Sequence, residues 1–300
     1  MNTHCIKKNL FWLLLFFCFF LFISCSPLNS DLTKHDTKNL LTIHTIDVSQ
    51  GDSTLIVSPA GKTILIDAGN NSFGEDVVHY IKQQGIHKID ILIGTHPDAD
   101  HIGGIDTVIE NFEIGKFYMP IRKHSTKTYR DVIKAAKKKN LIIEDGIAGM
   151  EIPFEEDISI TFLSPFNHAY TNNNQFSIVT YITYNRLSFL FMGDADEYNE
   201  QEIISHYPNL KCNFLKIGHH GSKHSTSEQF LTSVSPNVIS ISCGYKNQFH
   251  HPNKRVMELI QKYNIPVYRT DEQKTIRFFS DGIHLSTDMP NPASYDYPTE

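Results

Sequence analysis

Cysteine is scarce: the chain has five in 300 residues. Three of them, Cys5, Cys18 and Cys25, fall at the start, and Cys212 and Cys243 lie in or beside apolar strand-like runs. Two such cysteines make no disulfide framework and behave as small buried hydrophobes. A basic excess is lacking as well. The chain carries 27 Lys and Arg against 33 Asp and Glu, for a formal charge of −6, so it is not built around a general attraction to nucleic acid. Basic clusters do exist, at Arg122, Lys123, Lys127 and Arg130 and at Lys137 to Lys139, but they read first as a solvated helix face. An internal linker and a short repeat are also missing, which leaves one domain as the economical reading. The apolar share of 40% is ordinary for a globular chain and allows a sizeable core.

Long apolar runs are absent except at the N-terminus. There, Lys7 and Lys8 precede LFWLLLFFCFFLFIS and then Cys25. A run of about 15 residues is short of the roughly 20 that a spanning helix needs, so residues 1–24 read as a secretory signal peptide. FISC resembles a bacterial lipobox, with Phe22 where leucine is usual. The resemblance implies an exported protein held to a membrane by a lipid on Cys25. Residues 25–40 then read as a polar tether, 41–285 as the folded domain and 286–300 as a loose tail.

From residue 41, strand-like and helix-like patterns alternate. LLTIHTIDV, STLIVS and KTILID are strand-like and separated by the turns SQGD and PAGK; GEDVVHYIKQQG has helical spacing. KIDILIG leads directly into THPDADHIGG. Further on, SIVTYITY and LSFLFMG flank Asn185-Arg186 as a hairpin. Strands outnumber helices, which predicts an α/β sandwich of two sheets with helices on their outer faces.

The reactive residue types gather at strand ends. Asp67 closes KTILID; His96, Asp98, Asp100 and His101 follow KIDILIG; Asp194 follows LSFLFMG; His219 and His220 follow CNFLKIG; His251 follows NVISISCG. Any one alone is most simply a turn cap or polar surface. Five such groups at equivalent ends point to one site at one sheet edge. A loop reading HxDxDH can turn His96 and Asp98 one way and Asp100 and His101 another, forming two half-sites. A shared carboxylate such as Asp194 can bridge two metals about 3.5–4 Å apart. Gly103 and Gly104 are expected to let the backbone turn tightly into the next helix.

The ordered series IDVSQGDSTLI, LIDAG, THPDADHIGG, FLFMGDAD, LKIGHHGSKHST and FHHPN resembles the metallo-β-lactamase-fold hydrolases, ComEC-like branch. The resemblance implies a single-domain αββα sandwich with two divalent metals, zinc foremost and manganese or iron as alternatives. Carried over, His96 and Asp98 bind the first metal, and Asp100 and His101 the second, with Asp194 bridging. One of His219 and His220 completes the second site; His219 is favoured because it comes first after the strand. Asp67 orders the site, Gln50 and Asp52 line its edge, and Asp100, His220 and His251 serve catalysis. The first-metal histidine of the wider fold is replaced by Asn174, which predicts a looser first site. Ser49 and His250 stand where the branch has glycine. The implied activity is phosphoester or phosphodiester hydrolysis outside the cytoplasm, on cell-surface phosphoesters or single-stranded DNA, with no obligate protein partner. Lactone or carboxyl-ester hydrolysis, and a non-catalytic surface lipoprotein on the same fold, are the alternatives.

Overall fold

A computed structural model describes residues 39–122 and 124–298; the signal-peptide, lipobox and Cys25 readings, most of the tether and Lys123 lie outside them. Period-two alternation with both faces buried runs through its central strands. In β3 (Thr63–Ile66) and β4 (Lys88–Ile93), Ile64, Ile66, Ile91 and Ile93 join one core while Leu65 and Leu92 join another. In β10 (Leu187–Phe191), Phe189 and Phe191 face the first core and Leu190 a third. Such near-continuous apolar strands fit a sheet covered on both sides.

Two sheets result. The first has eight strands in the order β15-β14-β1-β2-β3-β4-β5-β6, with β14 at Ile276–Ser280, and the second seven in the order β13-β12-β11-β10-β9-β8-β7. β1 (Leu41–Thr45), β2 (Thr54–Val57) and β3 are antiparallel neighbours, after which β3, β4, β5 (Glu113–Met119) and β6 (Ile143–Asp145) run parallel. In the second sheet β8 (Ile158–Ser164), β9 (Val179–Tyr184) and β10 are antiparallel. β11 (Phe214–Lys216), β12 (Val238–Ile241) and β13 (Val267–Arg269) then continue parallel to β10. Asn185, at φ 51°, supplies the left-handed turn between β9 and β10.

The sheets pack face to face over Ile43, Ile91, Tyr118, Phe162, Phe189 and Phe214. Helices α1 (Gly74–Gln83), α2 (Ala99–Ile102), α3 (Ile105–Asn111) and α4 (Lys127–Lys138) follow the first sheet's strands, and Val77, Ile81, Val108 and Val132 cover its outer face. Helices α5 (Glu197–His206), α6 (Glu228–Val234) and α7 (Lys254–Lys262) cover the second through Ile203, Phe230, Leu231, Val256 and Ile260. Their N-termini are capped in sequence-legible ways. Asp196 forms a capping box with Asn199, Ser227 accepts from Phe230 N, and Asn253 accepts from Arg255 N. The architecture is the αββα sandwich expected.

Three strands lie outside the sequence-based expectation: β6, β7 (Glu151–Glu155) and β15 (Leu285–Thr287), all at sheet edges. The loose tail is also corrected. Ala293 N donates to Val267 O at 2.8 Å, Tyr295 Oη to Ile265 O at 3.0 Å, and Ser294 Oγ to Glu272 Oε1 at 2.7 Å. Ala293, Tyr295 and Tyr297 pack on the second sheet's outer core. Among the described residues no helix is long and apolar enough to cross a membrane.

Candidate metal centre

The site forms where the C-terminal ends of β3, β4, β10, β11 and β12 meet. THPDADH leaves β4 and folds into the single turn α2, with Asp98 as its N-cap residue. Gly103 has ordinary helical dihedrals, so turning is not its reason for being there. A Cβ on it would stand 2.2 Å from Asn71 N and 2.4 Å from Ala99 O; close packing excludes any side chain. Gly51, at φ 144°, likewise lets the SQGD turn approach within reach of the Asp100 carbonyl, from which a Cβ would be 2.4 Å. Asp52 N donates to that same carbonyl.

Asp194, after β10, is buried at the centre, and its two oxygens face different partners. Oδ1 lies 3.0 Å from His101 Nε2 and 3.5 Å from His220 Nε2. Oδ2 lies 3.6 Å from His219 Nε2 and 3.8 Å from His96 Nε2. Asp100 Oδ2 stands 3.4 Å from His220 Nε2, and Asp98 Oδ2 stands 3.7 Å from His96 Nε2. Each Asp194 oxygen therefore serves a half-site of two imidazoles and one further carboxylate. His96, Asp98 and His219 make the first; His101, His220 and Asp100 make the second.

This geometry corrects two expectations. His220, not His219, completes the half-site of Asp100 and His101. The adjacent histidines diverge because both hold left-handed backbone, at φ 49° and 54°. Such conformations cost non-glycine residues about 1–3 kcal/mol and persist where the surroundings over-determine them. A histidine also stands where Asn174 was expected to take its place: His219 Nε2 lies on the Oδ2 side of Asp194. Asn174 Nδ2 lies 3.2 Å from His219 Nδ1 and orients that ring.

Behind the imidazoles stands a layer of carboxylates. Asp67, itself at φ 59°, accepts from Thr95 N at 2.8 Å and Thr95 Oγ1 at 2.7 Å, and lies 2.8 Å from His101 Nδ1. His220 Nδ1 donates to Ser242 O at 3.0 Å, with Asp52 Oδ1 3.2 Å from the same nitrogen. Both carboxylates contact the Nδ1 side, leaving Nε2 aimed at Asp194, and a carboxylate so placed fixes tautomer and ring orientation. Asp52, His101, Asp194 and His220 each offer a ligand atom within 4.8 Å of the others. Asp52's contact with the Nδ1 side, and its pairing with buried Lys216, mark it as an orienting group rather than a ligand.

Lys216 on β11 and Asn173 were not anticipated. Asn173 Nδ2 donates to Asp98 Oδ1 at 2.7 Å. A lone lysine in the apolar run CNFLKIG was the available signal for the first; an Asn-rich loop offered none for the second. Gln50 Oε1 accepts from Gly244 N at 3.1 Å, tying the SQGD turn to the loop after β12. His251, on that loop, has its ring 5.5 Å from that of His219 and 6.2 Å from that of His220. His168 pairs with Asp145 at 3.0 Å, outside the cluster.

The charge balance shows what the centre accepts. Burial alone would lower His101, yet Asp194 and Asp67 hold it well above the ordinary imidazole range. His220 is pushed up to about 9 because Asp194 and Asp52 outweigh its burial. Asp194 is held far below the carboxylate range: burial opposes this, but His101, His220 and His219 prevail. Burial and the neighbouring His220 and His219 push His251 down to about 4. His96 Nε2, His101 Nε2, His220 Nε2 and Asp194 Oδ1 are buried and make no hydrogen bond. Such atoms cost about 1–3 kcal/mol each, and here they converge. Imidazole nitrogen and carboxylate oxygen form a donor set suited to zinc, manganese or iron; the residues fit divalent cations.

Comparison with known proteins agrees with the fold. Residues 46–239 match the metallo-beta-lactamase superfamily, and the chain belongs to that superfamily. Within it, the chain is 32% identical over 250 residues to ComE operon protein 3 of Bacillus subtilis, covering 78% of this chain and 32% of the relative. It is 32% identical over 261 residues to Recombination protein 2 of Haemophilus influenzae, covering 85% and 31%. Competence protein ComA of Neisseria gonorrhoeae is 29% identical over 240 residues, covering 77% and 31%. The chain thus spans about a third of the length of these relatives, and it is ComEC-like in the region shared. A solved structure described as a metal-dependent hydrolase from Parabacteroides distasonis shares the fold, with a TM-score of 0.50 at 14% identity over 77% of this chain and 93% of that one.

Proposed function

We propose that the chain is a metal-dependent phosphodiesterase that acts outside the cytoplasm. One observation carries the reading: a single buried carboxylate, Asp194, presents one oxygen to each of two half-sites that both contain two imidazoles and an aspartate. That arrangement suits two cations rather than one. The family names add support, since the relatives are a competence protein, a recombination protein and a ComE operon product.

Divalent ions at such a centre lower the pKa of a bound water, to about 7 with zinc, and polarise phosphoryl oxygens. The protein's part is positioning. Asp67 holds His101, and Ser242 O with Asp52 beside it holds His220, each with Nε2 inward, and Asn174 and Asn173 orient His219 and Asp98 from the rim. Lys216 balances Asp52 so that the second half-site is not overcharged. His220 Nδ1 faces Ser242 O and Asp52 while its Nε2 points into the centre as a candidate metal donor, which removes it as a proton donor. His251, kept neutral at neutral pH by its surroundings, retains a ring N–H to donate to a phosphate oxygen.

Turnover of bis-p-nitrophenyl phosphate with zinc or manganese, paired with elemental analysis, tests the reading. Asp194→Ala and Asp100→Ala should each abolish turnover and reduce bound metal. A wild-type chain that neither binds metal nor turns over the diester would overturn it.

The membrane placement rests on the sequence around Cys25. We infer that a lipid on that cysteine tethers the domain, with burial worth about 0.8 kcal/mol per CH₂. Radiolabelled palmitate should enter the wild-type chain in bacteria and not the Cys25→Ala variant. Equal labelling of both would rule out this attachment.

A further inference from the structure

Asp98 is the candidate ligand that the fold encloses least. Its side chain is 36% exposed, against 4% or less for His96 and Asp194. Although it stands at the N-cap of α2, its side chain caps no backbone amide there, so its own element does not fix the carboxylate's direction. The group that does meet it comes from the other sheet. Asn173, in the single turn Asn173–Phe176 before β9, donates from Nδ2 to Asp98 Oδ1 at 2.7 Å. That leaves Oδ2 on the side of His96.

The same amide nitrogen has a second partner. His124 Nε2, on the loop between β5 and α4, lies 3.1 Å from Asn173 Nδ2. An amide nitrogen only donates, so Nε2 accepts and the imidazole proton sits on Nδ1. Nδ1 finds its acceptor at 3.0 Å in Thr126 Oγ1, the N-cap of α4, which also accepts from Tyr129 N. The His124 ring stands edge-on to Tyr129, with centroids 6.2 Å apart at 69°. Thr128, in the same helical turn, donates to Asn71 Oδ1 at 2.8 Å, so the support behind His124 is itself tied down. Both hydrogens of the Asn173 amide are thereby committed, one to Asp98 and one to His124. The amide cannot turn over without losing both.

We propose that His124 is a positioning residue of the first half-site. Through the Asn173 amide it fixes the Asp98 carboxylate with Oδ2 towards His96, and so sets how tightly that half-site holds its cation. The inference rests on the two-cation reading of the centre, but it is read by cation binding rather than by turnover. Partners standing behind a metal ligand change affinity about ten- to a hundredfold.

The test titrates zinc into the metal-free chain in competition with a chromophoric chelator, which resolves the two equivalents. His124→Phe keeps a ring against Tyr129 and removes the acceptor. It should weaken one equivalent about tenfold and leave the other unchanged. His124→Gln, whose amide oxygen can accept in place of Nε2, should recover most of the loss. Asn173→Ala should weaken the same equivalent, and combining it with His124→Phe should weaken it no further, because both act through one amide. In the metal-free chain, long-range nitrogen–proton NMR spectra should place the His124 proton on Nδ1. Equal loss at both equivalents, additive losses in the double variant, no recovery in His124→Gln, or a His124 proton on Nε2 overturns the relay. Two wild-type equivalents with His124→Phe unchanged remove the relay and leave the centre standing. A wild-type chain that takes up no cation overturns both, whatever the tautomer.

Discussion

Lys216 is the side chain on which the second half-site's charge depends. It is 2% exposed, and its ammonium meets Asp52, whose carboxyl sits at about 2 because Lys216 and His220 together outweigh burial. Removing one partner of a buried pair leaves the other charge uncompensated, at about 3–5 kcal/mol. Lys216→Met should therefore lower stability by that order in urea titration, and pairing it with Asp52→Asn should recover a substantial part. An unchanged midpoint in the single variant would show that the pair carries no such weight. Residue identity at this scale was only partly legible in sequence. The ligand types and their strand-end positions could be read from KIDILIGTHPDADH and FLFMGDAD. The division of labour between His219 and His220 could not, because two consecutive left-handed residues reverse the direction that their order suggests. Ser49 and His250 hold positive φ as well, 57° and 54°, where glycine is the unstrained choice, and nothing in the structure explains why these residues stand there instead.

At the scale of elements, the loop 218–227 that presents both histidines is anchored on α5. Glu200 is 1% exposed and accepts from the backbone of Thr226 and, at 2.8 Å, of Ser227. Burial raises its carboxyl to about 7 despite those amides. A carboxyl whose folded pKa is raised favours its protonated form in the fold. Stability from Glu200 is then complete below its unfolded value near 4.5 and falls as pH rises towards 7. About 3 kcal/mol is the order involved. Wild type should lose stability relative to Glu200→Gln between these limits in urea midpoints measured at pH 5 and pH 8. Parallel profiles would exclude an ionising Glu200. Elements were legible where apolar runs were long. β6, β7 and β15 escaped because IED, EIPFE and LST are three- to five-residue edge segments with at most two core-facing side chains each, too few to show a period in sequence. The tail escaped because its bonds to Val267 and Ile265 are long-range.

On the scale of the whole molecule, the centre joins the two sheets. His96, Asp98, Asp100 and His101 come from the first, and Asp194, His219 and His220 from the second, so the candidate ligand set exists only when the sandwich is closed. Unfolding scatters it, and a cation bound by the closed form alone stabilises the whole fold by mass action, about 2.7 kcal/mol at a hundred times its Kd. For a domain of this size each kcal/mol shifts Tm by roughly 2–4 °C. Chelation should lower Tm by about 5–10 °C, with zinc or manganese restoring it, and Asp194→Ala should be insensitive to both treatments. Protons compete for the same Nε2 atoms of His101 and His220, so the metal-dependent shift should shrink as pH falls. A chain shown by elemental analysis to hold metal, yet melting at the same temperature after its removal, would place the cation somewhere other than between the sheets.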